Sequence, residues 1–218
     1  MKLFPATKVA KLRFAFILVL GMALLGWFHV LDLAVIRLRW WPREGDVVFQ
    51  SLPHGDLVDA IEGVSQSPFS HCGVVVRGAD GGWRVIEAIG DVHETPLNLW
   101  LLRGRGAGVA VFRWKPGALP DTAAFIAALR RYIGRPYDMR YRMDDEAIYC
   151  SELVYKGYRD VTGQLPGKTQ QLGALNWQPH EDFIRMMEGN QLPLDREMIT
   201  PRALSEATQL MPLYRHKL

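Results

Sequence analysis

The chain has 218 residues, with 26 basic and 23 acidic side chains, 49% hydrophobic and 11% aromatic residues. That make-up excludes a disordered or collagen-like chain and suffices for one packed domain. Two cysteines, Cys72 and Cys150, are too few for a disulfide framework or a four-thiolate zinc site. The net charge of +3 averages two unlike pieces: residues 1–43 carry seven basic groups against Asp32 alone, and residues 44–218 carry 19 basic and 22 acidic groups.

The first piece, at +6, reads as a membrane anchor. From Phe14 to Phe28 the chain runs FAFILVLGMALLGWF without a charge, and to Val30 the run has 17 residues. That is the lower edge of the ~17–25 residues with which a helix spans a bilayer. The following RLRWWPR sets Trp40 and Trp41 among Arg37, Arg39 and Arg43, side chains that suit the headgroup layer. No small-x-small cleavage site follows the run, so the segment reads as an uncleaved anchor. Four basic residues precede it and three follow, which places the amino terminus inward and residues 44–218 outside the cytoplasm. The expectation is a single-pass protein of the inner (cytoplasmic) membrane, with anchor and collar at 1–43 and a catalytic domain at 44–218.

In the domain, a turn at Pro42 to Gly45 leads into a short strand, DVVFQ, and LVDAIEGV (57–64) reads as a short helix. HCGVVVR (71–77) and WRVIEAI (83–89) are β-rich runs joined by the turn-forming GADGG, a hairpin signal. GVAVFRW (108–114) is a third strand. Asp121 caps a predicted helix through TAAFIAALRRYI that Gly134 stops, and another helix begins near Cys150 and runs to Gly163. Residues 161–179, rich in Gly, Gln and Pro, read as irregular, and Thr200-Pro201 has the form of an N-cap followed by proline in the first turn. Strands early and helices late predict an α+β fold.

A thiol at the first turn of a helix meets unsatisfied N–H groups and the positive end of the dipole, both of which favour thiolate. Cys150 occupies such a position, although a buried cysteine is also an ordinary small core residue. His71 opens a strand next to a loop and is the candidate base. Two hairpin registers, Arg77 opposite Trp83 or opposite Gly81, both bring Glu87 to the face of the His71 ring. An even-residue loop would separate them, and Glu87 would then point to solvent.

The order GDVVF (45–49), SHCGVVV (70–76), VIEA (85–88), GRPYD (134–138) and YCSELV (149–154) resembles the permuted NlpC-type papain-fold cysteine hydrolases, in particular their YiiX/YebB-like branch. The resemblance covers roughly residues 45–160. It implies a circularly permuted papain-like fold, an antiparallel sheet packed on helices. It also implies a cysteine amidase or peptidase with Cys150 as nucleophile, His71 as general base and Glu87 as the group that orients it. Tyr149 is a candidate contributor to the oxyanion site, and Tyr137 with Asp138 a candidate shaper of the approach to the helix. No cofactor or metal is expected. The substrate that follows first is an amide of the cell envelope such as a peptidoglycan peptide. A lipid amide or ester, hydrolysed or used for acyl transfer, comes second, and a catalytically silent binding protein on the same fold comes third.

Other patterns point elsewhere less well. A Cys72–Cys150 disulfide would replace the thiol chemistry, but strand alternation sends Cys72 to the face opposite His71. His54, His71 and His93 lack the spacing of HExxH or CxxC metal sites, and His93-Glu94 lacks the PCxxC of the deaminases. RGRGAG (103–108) reads as a turn. Arg130, Arg131, Arg135, Arg140 and Arg142 read as a solvated face, with a substrate carboxylate or phosphate as the other use. The −3 charge of residues 44–218 argues against nucleic acid as a partner.

Overall fold

The computed structural model describes Phe16 and residues 31–218. Apart from Phe16, the apolar segment read as a membrane anchor lies outside the described residues. Among the described residues no helix is long and apolar enough to cross a membrane. Residues 31–39 are helical, and Trp40–Leu218 form a compact unit of their own.

That unit is built on a six-stranded sheet in the order β4-β3-β2-β1-β5-β8. The strands are β1 (Val47–Gln50), β2 (His71–Arg77), β3 (Trp83–Ile89), β4 (Asp91–Pro96), β5 (Val109–Trp114) and β8 (Leu210–His216), and every pair is antiparallel. The helices are α1 (Asp56–Ser65), α2 (Leu97–Arg103), α3 (Thr122–Arg130), α4 (Cys150–Thr162), α5 (Glu181–Met187) and α6 (Pro201–Ser205). A two-residue pair, β6 (Gln170–Gln171) with β7 (Glu197–Met198), lies apart from the main sheet. The fold is therefore mixed α/β with an antiparallel sheet and helices, as the element pattern predicts.

β2 reads as an unbroken apolar run because both of its faces are covered. Cys72, Val74 and Val76 join Ile86 and Ala88 of β3 in one core with Phe125 and Leu129 of α3 and Leu153 and Val154 of α4. On the other face Val75 and Val85 are fully buried, as are Trp100 and Leu101 of α2, and α2 packs against β3 and β4. Two expected caps are in place: Asp121 Oδ1 accepts from Ala124 N at 2.8 Å, and Thr200 Oγ1 from Ala203 N at 3.0 Å. Gly163, at φ +68°, closes α4 in the left-handed conformation.

The hairpin takes the register that pairs Arg77 with Trp83 and Gly73 with Glu87. Gly73 is needed for close approach. A Cβ there would lie 2.4 Å from Val85 Cγ1 and 2.8 Å from the Ile86 carbonyl oxygen, and the backbone oxygen has nowhere to retreat. Gly73→Ala is expected to lower the free energy of unfolding by about 1–3 kcal/mol, the usual cost of overpacking. A urea titration checks this, and an unchanged midpoint would show that the β2–β3 contact is looser than described.

In the main sheet and the helix packed on β3 and β4, three elements carry no readable signal in the sequence. β4, DVHETP, is polar and half-exposed. β8 contains Pro212, which an edge strand tolerates, and it pairs with β5 through a bulge at Val111/Phe112. α2 spans seven residues, too few for a helical period to show.

Candidate active site

Cys150, His71 and Glu87 come together from three elements. Cys150 is the first residue of α4, and His71 and Glu87 stand on the paired strands β2 and β3. The three are 1%, 2% and 0% exposed, so their charges interact with almost no solvent screening. His71 Nε2 and Glu87 Oε2 are 2.5 Å apart. Burial alone would depress the imidazole pKa, but hydrogen bonding to Cys150 and then to Glu87 outweighs it and raises it to about 9. The Cys150 thiol is held well below its ordinary value, first by the hydrogen bond with Cys72 and then, against the opposing effect of burial, by His71. The favoured state is a thiolate beside an imidazolium.

Glu87 is not the solvent-facing carboxylate that an even-residue loop would have produced. Its burial would raise its pKa, but His71 and Arg103 overcome this and lower it to about 2. Arg103 of α2 donates to Oε2 and Thr95 of β4 to Oε1, and His93 Nε2 stands 3.9 Å from Oε1. These supporting groups lie on the elements that were not legible in the sequence. The RGRGAG pattern marks Arg103 only as the start of a turn. The turn exists, as a single 3-10 turn at Arg105–Ala107, but the arginine before it completes α2 and holds the carboxylate.

Cys72 stands in the core, on the face opposite His71 that strand alternation gives it, and it still helps to hold the Cys150 thiol down. Cys150 is thus influenced from both faces of β2, by Cys72 and by His71. Both cysteines are free. Burial pushes the Cys72 thiol well up, which leaves Cys150 as the thiolate of the pair.

Tyr149 is buried, and its hydroxyl accepts from Ile199 N at 3.0 Å and donates to Met143 Sδ at 2.9 Å. The hydroxyl thus braces the segment before α6. Tyr149 N donates to Glu152 Oε2 at 3.1 Å, which fixes the entry to α4. The Tyr137 and Tyr141 hydroxyls are 2.8 Å apart, and burial raises both phenols well above their ordinary range. Buried Asp138 accepts from Arg140 N at 2.9 Å and Arg142 N at 2.5 Å. Ile148 N donates to the Pro136 carbonyl at 2.9 Å, so the GRPYD segment lies alongside the approach to Cys150.

Of the arginine cluster, Arg130 pairs with Glu94, Arg131 with Asp160 and Arg142 with Asp144. His54 pairs with Asp59, and His93 with Asp91. Among the described residues no group of three or more His, Cys, Asp or Glu side chains is arranged to hold a metal ion.

The family model described as permuted papain-like amidase enzyme, YaeF/YiiX, matches residues 42–214. The chain is 30% identical over 180 residues to the uncharacterized protein YiiX of Escherichia coli K12, a match covering 81% of this chain and 88% of that protein. The crystal structure of the metalloprotein yiiX of Escherichia coli O157:H7, DUF1105, is similar with a TM-score of 0.76 and 29% identity, covering 81% of this chain and 99% of that one. That protein is described as a metalloprotein; among the described residues of this chain no donor group of that kind is arranged to hold a metal.

Proposed function

Since the chain belongs to the permuted papain-like amidases and is accordingly a cysteine hydrolase of the amidase or peptidase kind, we propose that Cys150, His71 and Glu87 are its catalytic triad. In this reading the Cys150 thiolate attacks the carbonyl carbon of an amide, and His71 delivers its proton to the departing amine. The backbone N–H groups at the start of α4 face the developing oxyanion. Glu87 holds the imidazole and stabilises its charged form, as a third member does in such triads. Water then releases the acyl group from sulfur. The observation that carries the reading is the buried 2.5 Å contact of His71 with Glu87, with Cys150 close enough to help raise the His71 pKa.

The rest of the proposal is location. The +6 segment 1–43 anchors the enzyme in the inner membrane, with residues 44–218 on the extracytoplasmic side and an envelope amide as substrate. What supports this is the charge asymmetry and the apolar run. A peptidoglycan peptide is the substrate that the family resemblance favours, and a lipid amide or ester comes second.

Alkylation with iodoacetamide tests the charge state. At pH 6 Cys150 is expected to react at least about tenfold faster than a free cysteine, which is almost wholly protonated there. Cys72 stays unmodified in the same sample. As pH rises through about 9, His71 loses its proton and amidase activity falls. A Cys150 profile that follows an ordinary thiol would remove the ion pair from the account and favour a catalytically silent protein.

A further inference from the structure

The helix that carries Cys150 also holds a buried charge pair that no step of the mechanism uses. Glu152 and Lys156, four residues apart on α4, are 0% and 1% exposed, and Glu152 Oε1 stands 2.8 Å from Lys156 Nζ. This is a charge contact rather than an aligned hydrogen bond. Each partner has a second hold. Glu152 Oε2 accepts from Tyr149 N at 3.1 Å. Lys156 donates to Asp145 Oδ1 at 2.6 Å and to the Asp144 carbonyl. The pair therefore ties α4 to both ends of the segment 144–149 that enters it.

A buried ion pair is a poor source of stability, because desolvating the charges cancels most of their attraction. Apolar side chains would pack α4 as well, so these charges call for another account, and Tyr149 supplies it. It is extended, at φ −98° and ψ 167°, directly before the helical Cys150. Its ψ sets the plane of the Tyr149–Cys150 peptide, and with it the direction of the Cys150 N–H. That N–H is one of the groups that face the oxyanion in the triad reading. Ile199 N and Met143 Sδ hold the Tyr149 hydroxyl, whereas Glu152 holds its backbone.

We propose that Glu152 and Lys156 are positioning residues of the nucleophile, locking the Tyr149–Cys150 peptide in the orientation that stabilises the oxyanion. The proposal rests on the reading of Cys150 as nucleophile. The two residues act through the backbone and exchange no proton with the substrate, and the charge state of the thiol is left to His71 and Cys72. The lock depends on charge. Burial raises the Glu152 pKa to about 7, against the opposing pull of Lys156 and the Tyr149 N–H and with Asp138 adding to the rise. The other groups nearby are the Tyr149 phenol, which faces Glu152, and Asp145, which faces the lysine. Above pH 7 Glu152 is a carboxylate and its holds on Tyr149 N and Lys156 are charge-assisted; below pH 7 it is neutral and both weaken.

Two reactions of the full-length protein in detergent micelles separate the lock from the thiolate. Alkylation by iodoacetamide needs only the thiolate, whereas acetylation by 4-nitrophenyl acetate also draws on the oxyanion site. Both are read on Cys150 by peptide mass spectrometry. From about pH 8 to about pH 6 the acetylation rate is expected to fall about tenfold, as the ionised fraction does across a pKa of about 7, while alkylation changes by less than about twofold. Glu152→Gln, neutral at every pH, should keep the slow acetylation rate throughout. Glu152→Gln combined with Lys156→Met leaves no lone buried charge, so it should fold and behave likewise. A fall shared by both reactions would trace to the thiolate and overturn the proposal. So would acetylation that is independent of pH in wild type, or that keeps its pH dependence in the double variant. Alkylation of Cys150 without acetylation at any pH would remove Cys150 as nucleophile, and the proposal with it.

Discussion

Replacing Cys150 by alanine is expected to abolish amide hydrolysis, lowering kcat by at least about a thousandfold, since only binding and oxyanion stabilisation remain. The fold should survive. The thiol is small and 1% exposed, and what replaces it fits the space it leaves. Cys72 cannot substitute for it. Its thiol is neutral because burial raises its pKa well above the ordinary value, and it stands in the core with Val74 and Val76. Cys72→Ala is therefore the control. It removes the largest influence that lowers the Cys150 pKa, so it should weaken thiolate formation without stopping turnover. An enzyme as active in Cys150→Ala as in wild type would exclude thiol catalysis.

The second large effect belongs to Glu87. Glu87→Gln keeps the size of the side chain but removes the charge that His71 and Arg103 share. The expected loss in kcat is about 10²- to 10⁴-fold, because the imidazolium loses its stabilising partner and the ring its orientation. The alkaline limb of the pH profile should move down from about 9 as the His71 pKa falls. Stability gives an independent reading. The folded pKa of Glu87 is about 2 against an ordinary 4.5. Its contribution is therefore present above pH 4.5 and is lost as pH falls from there towards 2. Denaturant midpoints in that window should fall in wild type and be flatter in Glu87→Gln. Equal slopes and unchanged kcat would mean that the carboxylate neither orients nor charges the histidine.

Much of the site was legible in the sequence because it depends on local rules. The alternation of β2 and β3 and the two odd-loop registers placed Glu87 with His71, and the register with Arg77 opposite Trp83 is the one formed. The cap-like start of α4 placed Cys150 at a helix end. What was illegible is long-range. Arg103, Thr95 and His93 reach Glu87 from α2 and β4, which are too short or too polar to announce themselves. Alternation gives Cys72 its face but not its influence on the Cys150 thiol, because it says nothing about where a neighbouring helix begins.

The central claim is that a carbonyl group becomes attached to Cys150. Full-length protein mixed with an amide substrate, quenched in acid and mapped by peptide mass spectrometry tests it directly. The account predicts one adduct of acyl mass, on Cys150, that accumulates further in Glu87→Gln if deacylation is the slower step there, and no adduct in Cys150→Ala. An acyl group found on another residue, or steady turnover in Cys150→Ala, would contradict it.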